Sequence, residues 1–265
     1  MIDYYIFLVA IILGVVEGAT EFLPISSTGH LIIASDLLNF DNSSHQVFEI
    51  VIQLGAIVAV VIEYRKKLTA TIFGLTHEKS AQDLVTNLII AFIPAAILGL
   101  IFHSQIKLYL FNPVTVGVAL IVGGIAMIII EKKMPEKDSL TNRIKKSQAL
   151  VIGLAQCMAL IPGISRAAST IMGGVISGLD RKTATEFSFY LAIPIIFAAS
   201  IFDLTVNWDI LSIEDLPVFI AGFIAAFISA RIVIKIFIKY VANHTFVAFG
   251  WYRIIVGIVT LYYFY

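Results

Sequence analysis

Charge is what this chain has least of. Asp, Glu, Lys and Arg make up 14% of its 265 residues, against roughly 25% in an ordinary soluble domain. Basic and acidic residues balance, so no net positive field exists to draw in nucleic acid. Cysteine is nearly absent too: Cys157 stands alone and excludes an intrachain disulfide. One cysteine and scattered histidines also argue against a structural zinc site. The first sixteen residues offer no basic start and no small-residue cleavage site. No removable signal peptide is therefore expected, and any membrane anchor stays in the mature chain. What fills the sequence is apolar side chain, 59% of it, which makes a polytopic helical membrane protein the expected class.

A helix needs about 20 apolar residues to cross ~30 Å of hydrocarbon. Six stretches meet that length: 47–64, 86–103, 113–131, 184–203, 215–235 and 246–265. Pro94 and Pro194 fall inside two of them, which membrane helices accommodate when neighbours satisfy the freed carbonyl. Tyr262-Tyr263-Phe264-Tyr265 reads as an interfacial aromatic anchor. Two further apolar segments are broken. The run 6–19 is interrupted by Glu17 and turns at Pro24 and Ser26-Ser27-Thr28-Gly29 before 31–38. The run 149–160 meets Pro162-Gly163 and Ser165-Arg166 before a short apolar stretch that ends at Ile176. Each broken segment either crosses fully or dips in and returns.

Charge placement decides between them. With both segments re-entrant, one face receives Arg65-Lys66-Lys67, Lys79, Lys132-Lys133, Arg143, Lys145-Lys146, Arg181-Lys182 and the Arg231/Lys235/Lys239 group. The other receives Asp3, Asp36, Asp41, Asp203, Asp209, Glu214 and Asp215, with Lys107 its only loop cation. Letting the second segment cross would move Arg181-Lys182 and the 231–239 group to the acidic face, against the positive-inside bias. The expected fold is thus an all-α polytopic integral membrane protein, with six full transmembrane helices plus two re-entrant helical hairpins in an inverted-topology repeat. The first repeat spans 1–131 with a hairpin at 4–38, and the second 147–265 with a hairpin at 149–178. Gly14-x-x-Glu17 with Ser26 and Gly153-x-x-Gln156 with Ser165 share one offset, a faint echo of that duplication. Such hairpins would bring their polar turns together near the midplane.

Those turns hold the chemistry. Gly14, Glu17, Gly18 and Glu21 follow i, i+3, i+4, i+7 spacing, one stripe of a helix. Two carboxylates at bilayer depth are costly. They are either protonated or Arg-paired structural groups, or a site for a divalent cation or for proton transfer; Mg²⁺ and Ca²⁺ favour such oxygen ligands. Ser26, Ser27 and Thr28 read as a helix cap or as reactive hydroxyls set before His30, which can act as base or nucleophile near neutral pH. In 162–170, Pro162-Gly163 opens a turn whose following helix start attracts anions. Ser165, Ser169 and Thr170 add donors, and Arg166 adds a planar fork suited to phosphate. Alternatively Arg166 pairs with Glu17 or Glu21, and the two states alternate as ligand comes and goes. Together these are the parts of metal-assisted phosphoryl transfer.

Glu49 and Gln53 share a face of the first full span and either line the pocket mouth or pack as polar residues. His45, His77, His103 and His244 fall near loops or span ends, and Glu186 is expected to pair with Arg181 or Lys182.

At these residues the chain resembles the bacterial undecaprenyl-diphosphate phosphatase family, also called the bacitracin-resistance protein family. The stretches EGATEFLPISSTGHL (17–31), FEIVIQLGAIVAV (48–60), PGISRAAST (162–170) and EFSFYLAIP (186–194) carry the resemblance. It implies hydrolysis of the terminal phosphate of undecaprenyl diphosphate to recycle the peptidoglycan carrier lipid, with a divalent cation, Mg²⁺ or Ca²⁺. It implies a multi-pass protein of the bacterial inner membrane whose site opens to the extracytoplasmic side. Glu17 and Glu21 match the family's acidic pair and metal ligands, Ser27 and His30 the nucleophile and base, and Arg166 with Ser165 and Thr170 the diphosphate loop. Ser26, Thr28, Gly163 and Ser169 complete the expected substrate contacts. Many members carry Ser-Gly where this chain has Ala167-Ala168, and Ser169 is the expected compensation. The expected partners are the polyprenyl diphosphate lipid and the bilayer, with no nucleic acid and a homodimer left open. The alternative function is a transporter or flippase for an anionic prenyl-phosphate lipid, since inverted repeats serve alternating access equally well.

Overall fold

The computed structural model describes residues 4–40, 45–134, 143–206 and 213–265. Among them there are helices and no strand. The first half holds α1 (Tyr4–Thr20), α2 (Ser27–Leu37), α3 (His45–Glu63), α4 (Arg65–Gly74), α5 (Lys79–Tyr109) and α6 (Pro113–Lys133). The second holds α7 (Lys146–Gln156), a 3₁₀ turn (Cys157–Leu160), α8 (Arg166–Ile176), α9 (Arg181–Val206), α10 (Leu216–Val241) and α11 (Val247–Phe264). Asp3, Asp41 and Asp209, used above in the charge argument, lie outside the described residues.

Among the described residues, five helices are long and apolar enough to cross a membrane: α5, α6, α9, α10 and α11. The sixth expected span, 47–64, is α3, which qualifies together with α4 across a 72° bend. The bend was not anticipated. It follows Tyr64, where exposed Arg65, Lys66 and Lys67 open α4 and leave the apolar run behind. Helix α5 starts seven residues before the expected span, in a solvated turn held by a Lys79–Asp83 pair at 3.3 Å.

Helix α10 shows how the fold meets lipid. Ile220, Ile224, Ile228, Ile232 and Ile236 recur every fourth residue and stand about half-exposed, while Gly222, Ala226 and Ala230 are buried on the opposite face. Large residues outside and small ones inside let helix backbones approach. Gly14 of α1 lies against Gly222 O, where a Cβ would overlap the carbonyl. Gly153 of α7 lies in the same way against α5, where a Cβ would sit 2.8 Å from Ala91 O.

Both broken segments return. The Tyr5 hydroxyl donates to Leu38 O at 2.7 Å, tying the start of α1 to the residue that follows α2. The Gln148 amide donates to Ser177 O at 3.0 Å, tying the start of α7 to the end of α8. A crossing segment would hold those ends far apart. The two halves also pack alike: α1 lies on α10 as α7 lies on α5, while α3 meets α9 and α6 meets α11. Long-range polar pairs join residues expected on one face. Lys235 reaches Glu63 at 3.7 Å and Arg181 reaches Glu131 at 3.0 Å, while His103 reaches Asp203 at 3.5 Å. Of the two partners expected for Glu186, Arg181 forks onto Glu131 of α6, which also accepts from Phe246 N, while Lys182 lies within electrostatic reach of Glu186.

Candidate active site

Each hairpin tip is built on a serine in an unfavourable backbone conformation. Ser26 has φ 72° and caps α2, accepting from Gly29 N; Ser165 has φ 75° and caps α8, accepting from Ala168 N. Left-handed φ in a non-glycine residue is strained and persists where the surroundings over-determine it. The shared offset between these serines therefore has a structural counterpart. Gly163, at φ 95°, presses on Val116, where a Cβ would lie 2.6 Å from the carbonyl oxygen. Only glycine fits that conformation and that contact.

Glu17 and Glu21 are buried at the end of α1, 1% and 8% exposed, and Glu21 N donates to Glu17 O, so helical geometry carries past Thr20. Ser27 Oγ donates to Glu21 Oε2 at 2.6 Å. The other oxygen of Glu21 accepts from Arg166 Nη2 at 3.2 Å, across the junction between hairpins. Arg166 Nη1 donates to Ser188 O and Oγ of α9 at 3.1 and 3.3 Å, and the guanidinium lies 5.7 Å over the Phe22 ring. One hydrogen-bonded chain thus runs Ser27–Glu21–Arg166–Ser188 through both hairpins. Of the two expected readings of Arg166, the structure shows the ion pair with Glu21.

Among the described residues, two buried polar atoms in this cluster have no hydrogen-bond partner: Glu17 Oε1 and Arg166 Nε. Orphaned groups of this kind are rare and need an explanation. A carboxylate oxygen awaiting a cation beside a guanidinium N–H awaiting an anion fits a diphosphate with a divalent counter-ion. Among the described residues no three His, Cys, Asp or Glu side chains cluster to hold a metal by themselves. The donor set suits an ion shared between Glu17, Glu21 and phosphate oxygens, the way Mg²⁺ is commonly held.

His30 lies on α2 with Ser27. Its Nδ1 lies 2.7 Å from Ser26 O and its Nε2 2.7 Å from the Tyr252 hydroxyl. The side chain bonded to Ser27 Oγ is that of Glu21. Thr28 is half-buried at the start of α2. Thr170 is fully buried, donates to Arg166 O and Ala167 O, and shares a 2.7 Å bond with Ser188 Oγ. It stands behind Arg166 and steadies it. The Ser169 hydroxyl donates to Ser165 O at 3.0 Å, capping its own helix. Ala167 is 0% exposed and packs in the apolar core. Glu49 is placed within electrostatic reach of Glu17.

Three contributors escaped the sequence reading: Ser188, Tyr252 and Arg253. Arg253 of α11 is 0% exposed. Its Nη1 donates to Pro24 O of the first tip at 3.2 Å and to Ile164 O of the second at 2.7 Å. Its Nη2 donates to Gly163 O at 3.0 Å, with longer bonds from the same guanidinium to Ala119 O and Leu120 O of α6. The signal was available, since an arginine inside an apolar span marks a functional site by default.

A family model described as bacitracin resistance protein BacA matches residues 10–259. An undecaprenyl-diphosphatase of Methylobacillus flagellatus is 52% identical over 268 residues, covering 99% of both chains. Proteins with the same name from Nitrosospira multiformis and Aromatoleum aromaticum are 52% and 50% identical, each covering 98% of this chain and 95% of the relative.

Proposed function

The chain belongs to the bacitracin resistance protein family, and on that premise we propose that it is an undecaprenyl-diphosphate phosphatase, releasing inorganic phosphate and returning undecaprenyl phosphate to peptidoglycan synthesis. The carrying observation is the bond from Ser27 Oγ to Glu21 Oε2 with Arg166 on the opposite oxygen, a nucleophile, its base and a phosphate-seeking fork in one buried chain. The relatives bear the name of a hydrolase, which favours this reading over a transporter.

The diphosphate enters between the hairpin tips and its charge draws Arg166 from Glu21. Freed of its cationic partner, the Glu21 carboxylate takes the Ser27 proton as Oγ attacks the terminal phosphorus. The bond from that phosphorus to the bridging oxygen breaks, and the prenyl monophosphate leaves with the electron pair. Water then attacks the phosphoserine, the phosphorus–Oγ bond breaks, and Glu21 returns its proton to Ser27. Arg166, with the backbone N–H groups at the start of α8, meets the phosphate charge as it shifts in the transition state. Glu17 and Glu21 would hold a divalent cation, Mg²⁺ or Ca²⁺, which supplies further neutralisation of the phosphates when bound.

The protein is multi-pass. An orientation with the site open to the extracytoplasmic side of the bacterial inner membrane is supported by the gathering of Arg65, Lys79, Lys182, Lys235 and their neighbours on the other face. The test is phosphate release from a prenyl diphosphate by purified protein. Chelation with EDTA, Ser27→Ala, Glu21→Gln and Arg166→Ala should each lower turnover by about 10²-fold or more. Undiminished turnover in Ser27→Ala and Glu21→Gln would remove the proposed site.

A further inference from the structure

His30 is the ionisable residue of the first motif that the phosphoryl-transfer chain leaves out. Its Nδ1 lies 2.7 Å from Ser26 O. A carbonyl only accepts, so in the neutral ring the proton sits on Nδ1 and Nε2 carries the lone pair. The Tyr252 hydroxyl, 2.7 Å from Nε2, then has one available role, that of donor. The two rings lie within 5° of parallel with centroids 5.6 Å apart. Both contacts together leave the imidazole a single tautomer and a single orientation.

Tyr252 is itself held in place. It precedes Arg253 on α11, and the Arg253 side chain bonds to carbonyls of both hairpin tips. The helix that joins the tips therefore also sets the phenol against His30. Tyr252 is 42% exposed on this flank of the site, whereas Glu21 on the other flank is 8% exposed.

We propose that Tyr252 is a proton relay for the second half of the hydrolysis, its hydroxyl passing a proton from the attacking water to the Nε2 lone pair of His30 that it already faces. This rests on the phosphatase reading above and adds a separate base for the water. The attacking water gives one proton to the Tyr252 oxygen as the phenol passes its own proton to Nε2, and the water oxygen bonds to the phosphorus of phosphoserine. The phosphorus–Oγ bond breaks, Ser27 Oγ recovers its proton from Glu21, and the imidazolium releases the captured proton to solvent. Glu21 serves serine, His30 serves water, and Tyr252 carries the proton between water and His30.

The experiment compares wild type, Tyr252→Phe and Ser27→Ala, each purified as full chain with its folding verified by thermal unfolding. Prenyl diphosphate labelled in the terminal phosphate is the substrate. Tyr252→Phe keeps the ring and removes the donor. It should lower kcat about 10- to 100-fold with KM nearly constant, and labelled phosphate should accumulate on Ser27. Ring-nitrogen NMR of His30, assigned by difference from His30→Gln, should change from one tautomer to a mixture. Undiminished kcat, a parallel rise in KM that accounts for the loss, no trapped label, or an unaltered His30 signal in Tyr252→Phe overturns the proposal. The broader reading fails separately, if Ser27→Ala turns over like wild type.

Discussion

Replacing Arg253 by methionine isolates what holds the two hairpin tips together. Methionine keeps the length and apolar stem of the side chain and deletes every donor. Pro24 O, Gly163 O and Ile164 O, now 2.7–3.2 Å from guanidinium nitrogens, lose this partner in a buried setting. Each buried acceptor left without a bond costs about 1–3 kcal/mol. Removing a buried cation offsets part of that, since a desolvated charge is itself unfavourable. A net loss of about 3 kcal/mol follows, a drop in Tm on the order of 10 °C for a chain of this size. The effect on rate should be larger than stability alone explains. Ser27 and Arg166 stand on different hairpins, and a misplacement of about 1 Å between reacting groups can reduce turnover about 10²-fold. The assay is phosphate release measured well below the variant's own Tm, beside its thermal unfolding curve. Arg253→Lys should fall between, because an ammonium cannot fork across carbonyls of both tips. If Arg253→Met unfolds earlier but turns over at the wild-type rate, the claim that this side chain sets the distance between the tips is refuted.

Two other substitutions probe separate joints. Ser188→Ala removes the hydroxyl that meets both Arg166 and Thr170; losing about 1 kcal/mol of support for the fork should raise KM roughly 5-fold, read from initial rates across substrate concentration. Glu131→Gln leaves Arg181 without its buried carboxylate and weakens the bond from Phe246 N. Breaking a buried pair costs about 3–5 kcal/mol, so thermal unfolding should fall sharply while kcat, measured cold, changes little.

The hairpins are legible in the sequence because their signals are local. Apolar runs too short to cross, ended by Pro24 or by Pro162-Gly163, announce a return, and the basic residues say which face each loop occupies. Ser27, Glu21 and Arg166 are legible for a related reason: each is expensive at bilayer depth and stands within a polar turn. Their connectivity is another matter. That His30 points to Tyr252 depends on how α11 lies against α2, a contact between residues 222 apart in the chain. Arg253 was hidden by the apolar run around it, and Ser188 by its setting in a long span. Arg181 illustrates the same limit. Glu186 is near in sequence, but Glu131 on a packed neighbour offers a buried fork that no local pattern reveals.

The link from Arg253 to Pro24 spans 229 residues, and that separation bears on how the molecule is made. At about 5–20 residues per second, a ribosome needs roughly 10–50 s to travel from the first tip to the side chain that clasps it. During that interval the first hairpin can enter the bilayer, but its proline carbonyl has no arginine, and the fork of Arg166 is made before the side chain that clasps both tips. The fixed spacing between the tips therefore arrives late in translation, when the closing helix docks.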